Sequence, residues 1–119
     1  MAKRKHKLRI GKFYYAYGGT KHPAQIYKKD KVHGTYLSIK TGTTQRKDMV
    51  AIKPIQKGVQ HSYVNKRPFE GTRKDYGDRE LLGLVFDPSD SEEIEMIKTR
   101  KPRQTRRAKE KYKKMPSSD

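Results

Sequence analysis

The feature that most limits how this chain can fold is the length of its apolar runs, which between Ile10 and Ile97 are strand-sized and separated by glycine and proline. Residues 12–17 are aromatic-rich and end at Gly18 and Gly19, the pattern of a strand entering a turn. Residues 23–27 open on Pro23, which cannot donate to a central ladder and so marks the start of a second strand. A third, 35–39, follows the turn signal of His33 and Gly34, and a fourth, 49–52, stops before Pro54. A fifth runs through 61–64, and 81–86 is a sixth run of strand length. Short strands at this spacing predict a mainly β fold, a small antiparallel barrel or sandwich.

One helix is predicted, near 90–100. Asp90 and Glu93 are spaced as a capping box, with acids in the first turn and bases following. Ile94 and Ile97 then share a face able to cover a barrel opening.

The charge is distributed unevenly. The chain of 119 residues carries a formal net charge of +17, but residues 1–9 hold +5 and residues 98–119 hold +8, which leaves +4 for the segment between. Three parts follow: a basic N-terminal arm over 1–9, a folded domain over 10–101, and a basic C-terminal tail over 102–119. Beyond Pro102 almost no apolar residue is available to bury, so the tail is predicted to be a flexible, solvated arm, helical at most on a partner. Such an excess of Lys and Arg favours a polyanion, because each neutralised phosphate releases condensed counterions. Solubilising tails are the plainer alternative.

With no cysteine, disulfides, thiolate metal sites and a cysteine nucleophile are excluded, which suits a reducing cytoplasm. No window approaches a membrane span, and His6, His22, His33 and His61 show no metal-ligand spacing, so neither a membrane nor a metal cofactor is expected.

The succession of Ile10-Gly11-Lys12-Phe13-Tyr14-Tyr15-Ala16-Tyr17, a short loop, Lys21-His22-Pro23-Ala24-Gln25-Ile26-Tyr27, and Tyr36-Leu37-Ser38-Ile39 resembles the opening of the MazF/PemK-type toxins. The resemblance covers 10–97 in order of elements and 10–40 in motif. It implies an SH3-like barrel with a C-terminal helix, metal-independent cleavage of single-stranded RNA, an acidic antitoxin as partner, and a homodimer. Family members place an arginine before the proline, where this chain has His22 with Lys21 beside it. Ser38 matches the family's hydroxyl position, and Thr41 is its neighbour. The resemblance thus implies that His22 and Ser38 line the RNA site, and the replaced arginine leaves a binding-only relative as an alternative.

Cleaving RNA without a metal needs a base for the 2′-hydroxyl, an acid for the leaving oxygen, and cations for the phosphorane charge. Histidine is the side chain type suited to acid–base work near neutral pH, which makes His22 and His61 candidates, and Lys40, Arg73 and Lys74 are candidate phosphate holders. Both histidines also read as ordinary loop residues. Residues 63–79 interleave cations with aromatic rings, as single-strand binding requires. Within this stretch Lys66, Arg67, Arg73, Lys74 and Tyr76 are expected to contact nucleic acid, Phe69 to be packed, and Asp75 to orient Arg73 or to serve as an acid–base group. A polar hairpin with packed aromatics is the alternative. Arg103, Arg106 and Arg107 add affinity from the tail, with RNA the expected polymer rather than DNA. The competing functions are therefore a toxin-like endoribonuclease with His22, Ser38, Arg73 and Asp75 as its catalytic set, a non-catalytic SH3-like nucleic-acid-binding protein, and a basic component of a ribosome or mobile element.

Overall fold

The structure, a computed structural model, describes residues 7–16 and 22–114. Its strands are β1 (Phe13–Ala16), β2 (His22–Asp30), β3 (Thr35–Gly42), β4 (Met49–Ile52), β5 (Ser62–Asn65), β6 (Phe69–Thr72) and β7 (Arg103–Gln104). Its helices are α1 (Ser91–Lys98) and α2 (Arg106–Lys114). The sheet runs β1-β2-β3-β5-β4, and β6 pairs with the first half of β3 while β5 pairs with its end. Pairing is antiparallel except between β6 and β7. Among the described residues the ladder does not close into a continuous barrel: on the side away from β2, β1 gains only single bridges, Phe13 to Leu81 and Ala16 to Tyr76.

Both sides of the strands are buried, which suits their dense apolar runs. Leu8, Tyr14, Ala16, Ala24, Ile26, Tyr36 and Tyr76 form one cluster. Phe13, Ile39, Ile52, Ile55, Val64, Ile94 and Ile97 form the other, with Tyr27 against it. A bulge between Ile26 and Lys28 leaves Tyr27 unpaired in the β3 register, and Ile26 and Tyr27 lie against the two different clusters, as successive strand residues do. The β2–β3 turn is fastened where the sequence indicates it. Gly34 takes a φ of +70°, its N–H donates to Asp30 O at 2.8 Å, and Asp30 Oδ1 accepts from Val32 N and His33 N.

As expected, α1 buries Ile94 and Ile97, but its start is built differently from the predicted box. Asp90 makes no cap bond to the helix and instead accepts from Lys53 N at 2.9 Å, tying α1 to the end of β4. The 3-10 turn ahead of the helix is capped by Asp87, which accepts from Ser89 N and Ser89 Oγ.

Two further expectations are corrected. Residues 81–86 do not form a strand, because Gly83 turns at φ +80° and leaves Leu82 81% exposed, while Phe86 folds back onto Phe13 with ring centroids 5.2 Å apart. Nor is the basic tail a free arm over 103–114. Arg103 N donates to Pro68 O at 2.8 Å and Thr105 N to Glu70 O at 3.0 Å, laying β7 along β6. Thr105 Oγ1 then caps α2 by accepting from Ala108 N at 3.1 Å, and Ala108 is fully buried. What holds this segment is polar: Thr105 Oγ1 donates to Asp75 at 2.6 Å, Arg107 to Asp75 at 3.0 Å, and Tyr112 to Glu70 at 2.7 Å. Asp75 and Glu70 are each only 2% exposed, so the segment supplies hydrogen bonds that two buried carboxylates require.

A basic groove around His22

His22 is the first described residue of β2 and lies opposite Ala16 of β1. Thr41 at the end of β3 donates from Oγ1 to Pro23 O at 2.8 Å, fixing the two strand ends together. Gly42 completes the seat, since a Cβ there would sit 3.2 Å from His22 Nδ1. Partial burial lowers the His22 pKa below its usual 6.5, and the charges of Lys40 and Arg46 add to that effect, while a hydrogen bond with the Thr41 backbone opposes it. The imidazole is therefore neutral at neutral pH, the form a general base needs.

The ring opens onto a groove of about 760 Å³. Among the described residues, Lys40, Arg46, Lys47, Lys66, Arg67, Arg100 and Arg103 line it, against the single acid Asp48. Two of these cations are held by backbone carbonyls, from the α1–β7 connection and the β5–β6 turn. Arg67 donates from Nε to Lys101 O and from Nη2 to Pro102 O, and Arg100 donates from Nη1 to Lys66 O at 2.9 Å. Asp48 accepts from Arg103 Nη2 at 3.4 Å. Lys40 lies over the Phe69 ring at 5.3 Å, and burial, then Arg103 and Arg46, lower its pKa. Cations crowded around a half-buried lysine concentrate positive potential, which an anion relieves.

Two smaller openings adjoin the groove. One, of about 180 Å³, shares His22, Thr41 and Arg46 and is otherwise lined by hydroxyl, amide and aliphatic groups such as Thr43, Gln56 and Val59. The other, of about 430 Å³, shares Lys40, Asn65, Arg67 and Arg103 and continues to Arg106 and Arg107 on α2. Among the described residues no cluster of three or more His, Asp or Glu side chains could hold a metal ion, and no helix is long and apolar enough to cross a membrane.

No protein-family model and no curated protein matches the sequence. A solved structure does match, an endoribonuclease in complex with its cognate antitoxin from Mycobacterial species, with a TM-score of 0.50 and 18% identity over 76% of this chain and 90% of that one. The chain shares that endoribonuclease's fold. This agrees with the MazF/PemK resemblance carried by residues 10–40.

Of the residues expected at a site, His22, Lys40, Thr41, Lys66, Arg67 and Arg103 come together in the groove, whereas Lys21 lies outside the described residues. The four expected catalytic residues do not converge. Ser38 is fully buried in β3, 2.9 Å from the Tyr76 hydroxyl, and donates to Phe69 O. Tyr76, expected as a stacking surface, is a core residue whose ring meets Tyr36 and Phe69 edge-on. Arg73 donates to the carbonyls of Tyr76 and Gly77 and to Asp78, and Asp75 pairs with Arg107 rather than with Arg73. Lys74 is exposed on the 3-10 turn after β6. Arg106 and Arg107 line the adjoining groove. Arg46, Lys47, Asn65 and Arg100 were not anticipated. Arg46 and Lys47 form a basic pair in a polar loop just after Lys40 and Thr41, and that proximity is the signal that could have marked them.

Proposed function

We propose that this chain is a toxin-like endoribonuclease that cuts single-stranded RNA without a metal, using the groove around His22. The observation that carries this is the place of His22 at the edge of a groove that, among the described residues, is lined by seven cations, with partial burial and then Lys40 lowering the pKa of its ring. His22 takes the 2′-hydroxyl proton, and the freed oxygen attacks the adjacent phosphorus. Arg46 and its neighbours hold the phosphorane charge, and Lys40, made more acidic by its setting, returns a proton to the departing 5′-oxygen. The products are a 2′,3′-cyclic phosphate and a 5′-hydroxyl. The similar endoribonuclease is described with an antitoxin, and an acidic antitoxin segment is the proposed inhibitor here, occupying the same cations.

The test is incubation of the purified protein with an unstructured RNA in EDTA. Cyclic-phosphate ends with wild type and a loss of cleavage in His22→Ala are expected; RNA left intact by wild type overturns the proposal. The burial of Ser38 away from the groove favours a second proposal, a nucleic-acid-binding module without catalysis. It predicts salt-sensitive binding with no cleavage, log affinity falling by about 0.7 per contacted phosphate for each unit of log salt on a single strand.

A further inference from the structure

The opening beside α2 is built around an arginine whose direction is set from below. Asp75 is 3% exposed in its side chain, and its Oδ2 accepts from Thr72 N at 2.8 Å and from Thr105 Oγ1 at 2.6 Å. That leaves Oδ1 to take Arg107 Nη1 at 3.0 Å, while the Arg107 side chain is 57% exposed. A guanidinium carries five N–H donors in a planar fork, so an arginine anchored at one nitrogen retains donors for a ligand and has lost less freedom on binding it. Arg106 and Arg103 line the same opening, and its one acid among the described residues, Asp75, is already engaged by Arg107. Lys40, Asn65, Arg67 and Arg103 line both this opening and the groove of His22, so the cationic lining is continuous from one to the other.

We infer that the C-terminal segment builds a distal phosphate subsite, in which Arg107, oriented by Asp75, and Arg106 hold the backbone of an RNA strand that also crosses the His22 groove. This rests on the RNA-binding role proposed for that groove. The ligand class follows from continuity, because a phosphodiester chain lying on Lys40 and Arg103 is carried directly between Arg67 and Arg106 by the shared lining. Asp75 is here a positioning residue, acting through Arg107.

The test measures binding of a uridine trinucleotide and a uridine dodecamer to the full chain as salt is varied. For Arg106→Gln the affinity ratio of dodecamer to trinucleotide falls several-fold, and the salt slope for the dodecamer drops by about 0.7. Arg107→Lys, which keeps the charge but not the fork, lowers the same ratio by less than Arg107→Gln does. Arg106→Gln alters an exposed residue, so it reads the subsite even where Arg107→Gln disturbs packing around Asp75. Arg46→Gln, in the His22 groove, lowers binding of both oligonucleotides. An unchanged length ratio in both the Arg106 and Arg107 variants overturns the distal subsite while leaving the groove intact. Unchanged binding in Arg46→Gln as well overturns the RNA-binding role itself. Displacement of polyglutamate, but not of the dodecamer, by the Arg106 and Arg107 substitutions assigns the opening to an acidic protein and also overturns the proposal.

Discussion

The Tyr112 hydroxyl, from the last turns of α2, donates to Glu70 Oε2 in β6 at 2.7 Å, across 42 residues of sequence. Glu70 also accepts from Thr35 Oγ1 at 2.6 Å and from Gln104 Nε2 at 3.1 Å. Burial, and then the hydrogen bond to Glu70 and its charge, raise the Tyr112 pKa, so the phenol remains a donor, and the His33 ring stacks on it at 3.7 Å. Tyr112→Phe keeps the stacked ring and removes one donor from a buried carboxylate. A loss of about 1–2 kcal/mol is expected in urea unfolding, and a change near zero would show that the bond carries no stability.

Removing residues 103–119 tests the segment as a whole. The truncation strips Glu70 of Gln104 and Tyr112, and Asp75 of Thr105 and Arg107. Each buried carboxylate left short of partners costs up to about 3–5 kcal/mol, comparable to the whole stability of a small domain. The truncated chain is expected to have lost most of its cooperative thermal transition by circular dichroism. A melting curve matching the full chain would mean that the segment is a dispensable tail.

Ser38 separates a core role from a catalytic one. Ser38→Ala leaves the Tyr76 hydroxyl with only its bond to Tyr36 O, 3.2 Å away, and removes a donor from Phe69 O. The expected outcome is about 1–2 kcal/mol of lost stability with RNA cleavage per folded molecule unchanged. A cleavage rate reduced by orders of magnitude with stability intact would place Ser38 in the reaction.

The pH dependence follows from His22. Its folded pKa lies below 6.5, so the base form persists as pH falls past 6.5 and is lost only as pH passes through the folded value. The acid limb of the pH–rate profile therefore lies below 6.5, and Arg46→Ala, which removes one of the lowering charges, moves it to higher pH. The stability linkage has the same sense. Above 6.5 the imidazole is neutral in both folded and unfolded chains, and its contribution is present in full. It is lost as pH falls through the folded value, because the unfolded chain takes up the proton first. NMR titration of His22 in both proteins checks the shift, and an apparent pKa at or above 6.5 in wild type would contradict it.

Much of the framework was legible because its signals are local. The short apolar runs of β1 to β5, the turn at Gly34 and the isoleucine pair of α1 are patterns within a few residues. Phe69-Glu70-Gly71-Thr72 was not legible as β6, since it has no β-branched run and is made a strand by the ladders of β3 and β7 on either side. In the groove, His22, Lys40 and Thr41 belong to recognisable strand ends, but Arg46 and Arg100 meet them only because a loop and a helix end converge.

By itself, then, the sequence determined the β class, the closing face of Ile94 and Ile97, and a strongly cationic character, all set by composition and short-range periodicity. The tertiary structure alone decided that Ser38 and Tyr76 face the core, that Asp75 holds Arg107, and that residues 103–114 are part of the fold. The reason is that a segment with almost no apolar residues has no local reason to dock. It docks because Glu70 and Asp75 are buried thirty or more residues earlier and need the donors that Thr105, Arg107 and Tyr112 bring.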